Sequence, residues 1–326
     1  MIKKSFSDNK IFNFILAVCC FAFVVCFSGC ARKNNNNNFS SSNCSSMKHN
    51  DGECDKKINI ATTNFPLYDF LRQIVPENVN LKMLMAPGVD SHSFEPTAET
   101  VKLVENSNVL VCLGGGADSW VENVLNSIGA EKKNKINQID IIQKSSHNTE
   151  ASIDSHVWTS LQKSINIVRI LQEKLSKIDS ENAAIYSEKA ELFISKLSSL
   201  KNRIEKVVAE GKRKVLVFAG KFPFKHFTDE FGLRAVTAFA NCSSKSEALP
   251  SKVLELVNFI KTNNVPMVLH SDFDESNLAE VVAGETNVKI GVLHACHTVS
   301  ANDFAAGKTY LNFMEQNLET LKEALN

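Results

Sequence analysis

The chain is 326 residues long, 44% hydrophobic and 22% charged, with 36 Lys and Arg against 36 Asp and Glu. That length supports one large or two medium domains with substantial cores. Zero net charge, with no basic stripe interleaved with aromatics, excludes nucleic acid as a partner.

In chain order, Lys3, Lys4 and Lys10 precede an apolar run from Ile11 to Phe27, which gives way to Ser28, Gly29 and Cys30. A basic start, an apolar stretch and small residues before a Cys read as an export signal over residues 1–29. The run is interrupted by Asn13 and is short for a membrane-spanning helix. The stretch FSGC resembles a bacterial lipobox, although Phe27 stands where Leu is usual. That implies lipidation of Cys30 and a protein held on the cell membrane, facing the periplasm or the cell exterior. Residues 30–57 carry almost no apolar side chains and read as a flexible polar tether. Of nine cysteines, Cys44, Cys54, Cys112, Cys242 and Cys296 lie beyond the signal and Cys30. An odd number leaves at least one thiol free or paired between chains.

Past the tether the chain alternates apolar strands with amphipathic helices. KINIATT, VNLKMLM, NVLVCL and INQIDII are expected strands of a first lobe over 58–179, with helices at PLYDFLRQIV, 98–105 and 119–128 between them. Residues 180–211 read as one long helix: Tyr186, Ala190, Phe193, Leu197, Leu200, Ile204 and Val207 fall on one stripe, and Gly211 is placed to end it. KVLVF, RAVTAF, VPMVLH and VKIGVL repeat the rhythm over 212–326, with helices near 224–231, 251–262, 275–285 and 305–325. The expected fold is α/β: two lobes, each a mainly parallel four-stranded sheet with flanking helices, joined by one long rigid helix.

Ligands of such sheets lie beyond the carboxyl ends of strands, so the loops there hold the candidate chemistry. APGVDSHSFEPT carries His92 between Asp90 and Glu95, SIDSHVWTS carries His156 beside Asp154, and HACH carries His294 and His297 after the last strand. Imidazole suits zinc and other late first-row ions, and nearby carboxylates complete a shell or orient a ring. No short His-x-x-x-His or Cys-x-x-Cys spacing reinforces this. His270 closes VPMVLH without a companion and reads as structural. AGKT at 306–309 lacks the first Gly of a phosphate loop, with Asn302 in its place, and GGGA at 114–117 lacks the third Gly of a dinucleotide fingerprint.

PGVDSHSFEPT, DSHVWTS, NFPLYDF, GGGADSWVENVL and AGKTYLNFMEQNLETLKEAL together resemble the zinc/manganese-binding proteins of bacterial metal-import ABC transporters, the cluster A-I binding proteins. The likeness runs from about Ile58 to the end of the sequence. It implies a non-enzymatic, monomeric solute-binding protein that captures zinc, with manganese the alternative, for a permease and its ATPase. His92 and His156 match positions that are ligands in the family. Two departures stand out. Ala219 or an immediate neighbour fills the place of a third ligand, and His294 fills the last, with His297 three residues on. Glu247 is a further candidate for a rearranged shell. Only His147 is left where many zinc importers carry a His-rich loop. Two other readings remain open: a zinc hydrolase with Glu95 or Glu247 as general base, and an adhesin-like lipoprotein with a structural metal. A Cys242–Cys296 bridge is weighed against two free thiols, or one thiolate ligand.

Overall fold

The computed structural model describes residues 57–91, 93–142, 154–239, 249–274 and 277–326. The signal, the tether, Cys30, His92, His147, Cys242 and Glu247 lie outside the described residues. The chain runs β1 (Asn59–Thr62), α1 (Phe65–Ile74), β2 (Asn80–Met83), α2 (Ala98–Glu105), β3 (Val109–Cys112), α3 (Trp120–Ser127), α4 (Ala130–Lys133) and β4 (Asn137–Asp140), then α5 (Leu161–Ile178) and α6 (Ala183–Glu210). The second half runs β5 (Val215–Phe218), α7 (Lys225–Phe231), β6 (Arg234–Thr237), α8 (Pro250–Asn263), β7 (Met267–Ser271), α9 (Leu278–Thr286), β8 (Lys289–Leu293), α10 (Ala301–Ala305) and α11 (Tyr310–Ala324).

Both sheets are parallel and four-stranded, in the orders β2-β1-β3-β4 and β6-β5-β7-β8, as the alternation of elements predicts. The central strand β3, VLVC, is buried along its length, as an apolar run between two helical layers must be. The edge strand β2, NLKM, alternates exposed and half-buried positions. Helix α1 starts where Asn64 accepts from the Leu67 N–H at 3.2 Å, with Pro66 in the first turn, where a missing N–H costs nothing.

Helix α6 has 28 residues, so it is about 42 Å long at 1.5 Å per residue. Its buried stripe is the expected one up to Ile204; the next buried residue is Val208, while Val207 is half-exposed. Spacings of four and three average 3.5, and a helix of 3.6 residues per turn drifts off such a stripe by one position over several turns. Gly211 ends α6 in an extended conformation (φ −63°, ψ 140°), not the left-handed one. Its use is close approach: a Cβ there would lie 2.9 Å from Leu325 Cβ. The expected helix over 305–325 starts later, at Tyr310, because Gly307 turns left-handed (φ 72°) and Thr309 caps the start by pairing with Asn312; a short separate helix, Ala301–Ala305, precedes it.

One core runs through both halves. Phe65 and Phe70 of α1, Val111 of β3, Phe193, Leu197 and Leu200 of α6, and Phe218, Leu269 and Leu318 of the second half form a single buried cluster. The outer faces have smaller cores of their own, under α3 (Val121, Val124) and under α8 and α9 (Leu256, Ile260, Val282). Ala219 belongs to the latter, packed with Val217 and Val268, so its side chain is a core methyl and does not line a cleft.

Candidate metal centre

The site begins with a short turn. Asp154 accepts from the His156 backbone N–H at 3.0 Å and sits 2.7 Å from its ring Nδ1. The carboxylate can only accept, so Nδ1 carries the hydrogen and Nε2 is the nitrogen with the lone pair. Burial works against the charge on Asp154, but the hydrogen bonds and charge of His156 hold its carboxyl below the usual carboxylate range. Next comes a 3-10 turn, Val157–Thr159, that packs Trp158 5.5 Å from the His156 ring. Trp158 Nε1 donates to the Ala295 oxygen at 2.7 Å, which joins this turn to the loop after β8.

That loop bends at Cys296, which takes φ 59°, an uncommon conformation for a residue with a side chain. Beyond the bend, buried His297 stands edge to face with His156, ring centroids 6.3 Å apart, and Phe273 lies at the same distance on another side. Thr298 Oγ1 accepts from the Gly88 N–H at 3.0 Å, so the HACH loop is also tied to the loop that carries position 92. Three loops from both halves therefore meet around His156 and His297.

His294 is set differently. Asn317 on α11 brackets its main chain, accepting from its N–H at 2.6 Å and donating to its oxygen at 2.9 Å. Its ring packs 5.1 Å from Phe313, with Nδ1 3.5 Å from Asp272 Oδ2. Asp272 in turn accepts from the Ala295 N–H at 2.6 Å. Among the described residues, no three His, Cys, Asp or Glu side chains converge closely enough to hold an ion. The described part of the site is thus a pair, His156 with His297, and beside it a second pair, His294 with Asp272.

Cys296 is a free, buried thiol. Burial, with Asp272 and Asp69 nearby, raises its pKa well above the usual range, which favours the protonated thiol in the metal-free protein. His270 is half-buried with Nδ1 3.0 Å from the Ser271 oxygen, in keeping with a structural role. Asp272 and Asn317 were not anticipated from the sequence. Asp272 follows a strand end, the place where such residues collect, whereas Asn317 lies inside a helix and carries no local signal.

Each half also fastens the loop after its first strand to the loop after its third. Asp118 Oδ2 accepts from Thr63 Oγ1 at 3.0 Å and from the Leu113 and Gly114 N–H groups at 2.6 and 3.1 Å. In the second half, Asp274 Oδ2 accepts from the Lys221 N–H at 3.1 Å. These are the switch points of the two strand orders, where the rule for open sheets places ligands.

Residues 60–324 match the family model described as "Zinc-uptake complex component A periplasmic". The chain is 26% identical over 293 residues to the zinc-binding lipoprotein AdcA of Streptococcus pneumoniae (strain ATCC BAA-255 / R6), covering 86% of this chain and 57% of that protein. It thus spans little more than half the length of that relative. With the high-affinity zinc uptake system protein ZnuA of Bacillus subtilis (strain 168) it shares 25% identity over 282 residues, 82% of this chain and 88% of that one. Its fold superposes on the crystal structure of the Zn(II)-bound ZnuA-like domain of S. pneumoniae AdcA with a TM-score of 0.70 at 25% identity, covering 82% of this chain and 99% of that domain. With the family model matched over nearly all the described residues and the two-sheet, long-helix architecture shared, the chain belongs to the family of the periplasmic component A of zinc-uptake complexes.

Proposed function

We propose that the protein is a solute-binding protein that captures zinc, with manganese as the alternative cargo, between its two lobes and delivers it to a membrane permease powered by a separate ATPase. The observation that carries this is the meeting of His156 from one half with His297 from the other, 6.3 Å apart. Imidazoles in a largely buried cleft suit zinc, and the Asp154 contact gives His156 the tautomer a ligand needs. We assign the donors to His92, His156, His294 and His297, with Glu247 the candidate to complete the shell. No bond is made or broken in this role, and the protein is not an enzyme. Cys30, lipidated, holds a monomer at the cell membrane, facing the periplasm or the exterior. Among the described residues, no helix is long and apolar enough to cross a membrane.

Because both sheets share the core along α6, release is expected to come from rearrangement of the cleft loops when the permease docks, not from a wide hinge. Calorimetric titration with zinc tests the site. His156→Ala and His297→Ala should each weaken binding at least a hundredfold with unchanged circular dichroism. Parent-like affinity in either variant refutes the assignment of that residue.

A further inference from the structure

Helix α7 of the second half meets the segment that carries His156 through polar contacts that ion capture leaves unused. His226 Nε2 lies 2.9 Å from the Asp154 backbone oxygen, and its Nδ1 lies 2.7 Å from Lys163 Nζ. One turn further along α7, Glu230 Oε1 accepts from the Gln162 N–H at 3.0 Å, in the first turn of α5. A carbonyl only accepts and an ammonium only donates, so one tautomer uses both ring nitrogens: the Nε2 hydrogen goes to Asp154 and the Nδ1 lone pair takes the Lys163 hydrogen. Asp154 is the residue whose carboxylate aims the His156 ring. Two hydrogen bonds, one to the Asp154 backbone oxygen and one to its carboxylate, therefore link the His226 ring on α7 to His156 Nδ1 through the covalent frame of Asp154.

We propose that His226 is a positioning residue for His156, through which the second lobe sets the aim of a ligand carried by the first. The proposal rests on His156 being a zinc ligand. With His226 in place, the Asp154 main chain is fixed from outside its own lobe, and its carboxylate keeps the imidazole turned for coordination. If α7 moves away, or the ring is lost, Asp154 keeps its bond to His156 but loses its anchor. The ligand is then held by its own turn alone. This gives docking at the second lobe a route to the ion that needs no displacement of the ligands themselves.

The test compares His226→Phe, which keeps a ring and loses both nitrogens, with His226→Gln, whose amide N–H can still reach a carbonyl. Zinc affinity is read by competition with a chromophoric chelator, dissociation by stopped flow, and ligand geometry by the visible absorption of the cobalt-loaded protein. Partners one step beyond the ligands are typically worth about ten- to a hundredfold in affinity. His226→Phe, one step further out, should lose roughly tenfold, mostly through faster dissociation, with shifted cobalt bands, while His226→Gln recovers most of the loss. Parent-like affinity and cobalt spectrum in His226→Phe, beside lost binding in His156→Ala, overturn the positioning role and leave the zinc site standing. Parent-like binding in His156→Ala overturns the site itself, and the positioning role with it. Weakened binding with unshifted cobalt bands and an equal loss of apo-protein melting temperature marks a merely structural contact and also overturns the proposal. Should His226→Phe not fold, His226→Gln against the shorter His226→Asn supplies the same comparison.

Discussion

Asp118 is a buried carboxylate, 6% exposed, at the first half's switch point. Burial raises its pKa, three hydrogen-bond donors pull it back, Asp140 adds to the rise, and the balance lies at about 6. Since the unfolded value is the ordinary one near 3.8, the folded state holds the proton more tightly, and this group's contribution to stability is full at acid pH and lost as pH rises through 6. Asp118→Asn cannot ionise. Its stability relative to the parent should therefore improve by about 2 kcal/mol between pH 4 and pH 7, since the unfolded carboxyl is already half ionised at pH 4. Urea unfolding of the metal-free proteins at the two pH values measures this, and an unchanged difference contradicts it. The candidate histidines were legible because they stand in loops at element ends. Asp118 lay unread inside GGGADS, since its role comes from Thr63, fifty-five residues back in the chain. Asp272 and Asn317 escaped for the same reason: each acts on residues twenty-three positions away.

At the scale of elements, α6 carries the most exact test of patterning. Leu197 is fully buried on its inner stripe and Leu192 is 59% exposed on its outer side. Leu197→Ala should cost about 3 kcal/mol by removing packed methyl groups and leaving a cavity. Leu192→Ala should change stability by less than about 0.5 kcal/mol. Denaturation midpoints at constant slope check both, and comparable losses would refute the assigned faces. All eight strands were readable because buried parallel strands are short apolar runs bounded by turns. Their ends were less so: VNLKMLM shortens to Asn80–Met83 because hydrogen bonding, not hydrophobicity, ends a strand. The break at Gly307 was missed because a lone Gly within an amphipathic pattern looks the same whether the helix continues or restarts.

At the scale of the whole molecule, the continuous cluster from Phe65 through Leu200 to Leu318 means the two halves do not have separate main cores. Calorimetry of the metal-free protein should give one transition, with calorimetric and van't Hoff enthalpies equal. Two resolved transitions would show that the halves unfold independently. Tyr310 is the polar counterpart of that cluster. Fully buried, it donates to the Trp158 oxygen at 2.6 Å, lies 3.3 Å from Ser164 Oγ, and its N–H is accepted by Asp69 at 2.8 Å. Tyr310→Phe removes one of two donors to the Trp158 carbonyl, which keeps the Ser164 hydroxyl at 2.9 Å, and should destabilise by about 0.5–1.5 kcal/mol. Zinc should also leave faster, because Trp158 stands two residues from His156. Urea denaturation and stopped-flow release measure the two effects, and a stability loss with parent-like release would separate the tyrosine from the site.

The junction of Asp69, Arg72 and Lys308 with the start of α11 adds one more fastening between the halves to those of Trp158 with Ala295, Gly88 with Thr298 and Asp154 with His226. A body held to another at one point can swing and twist in three ways; held at two, it can only turn about the line between them; held at three or more that share no line, it cannot move as a rigid piece at all. The two halves then form a fixed frame in which only the loops are free to shift. A pair of spin labels, one on each of the outer helices α3 and α8, should report the same distance with and without zinc.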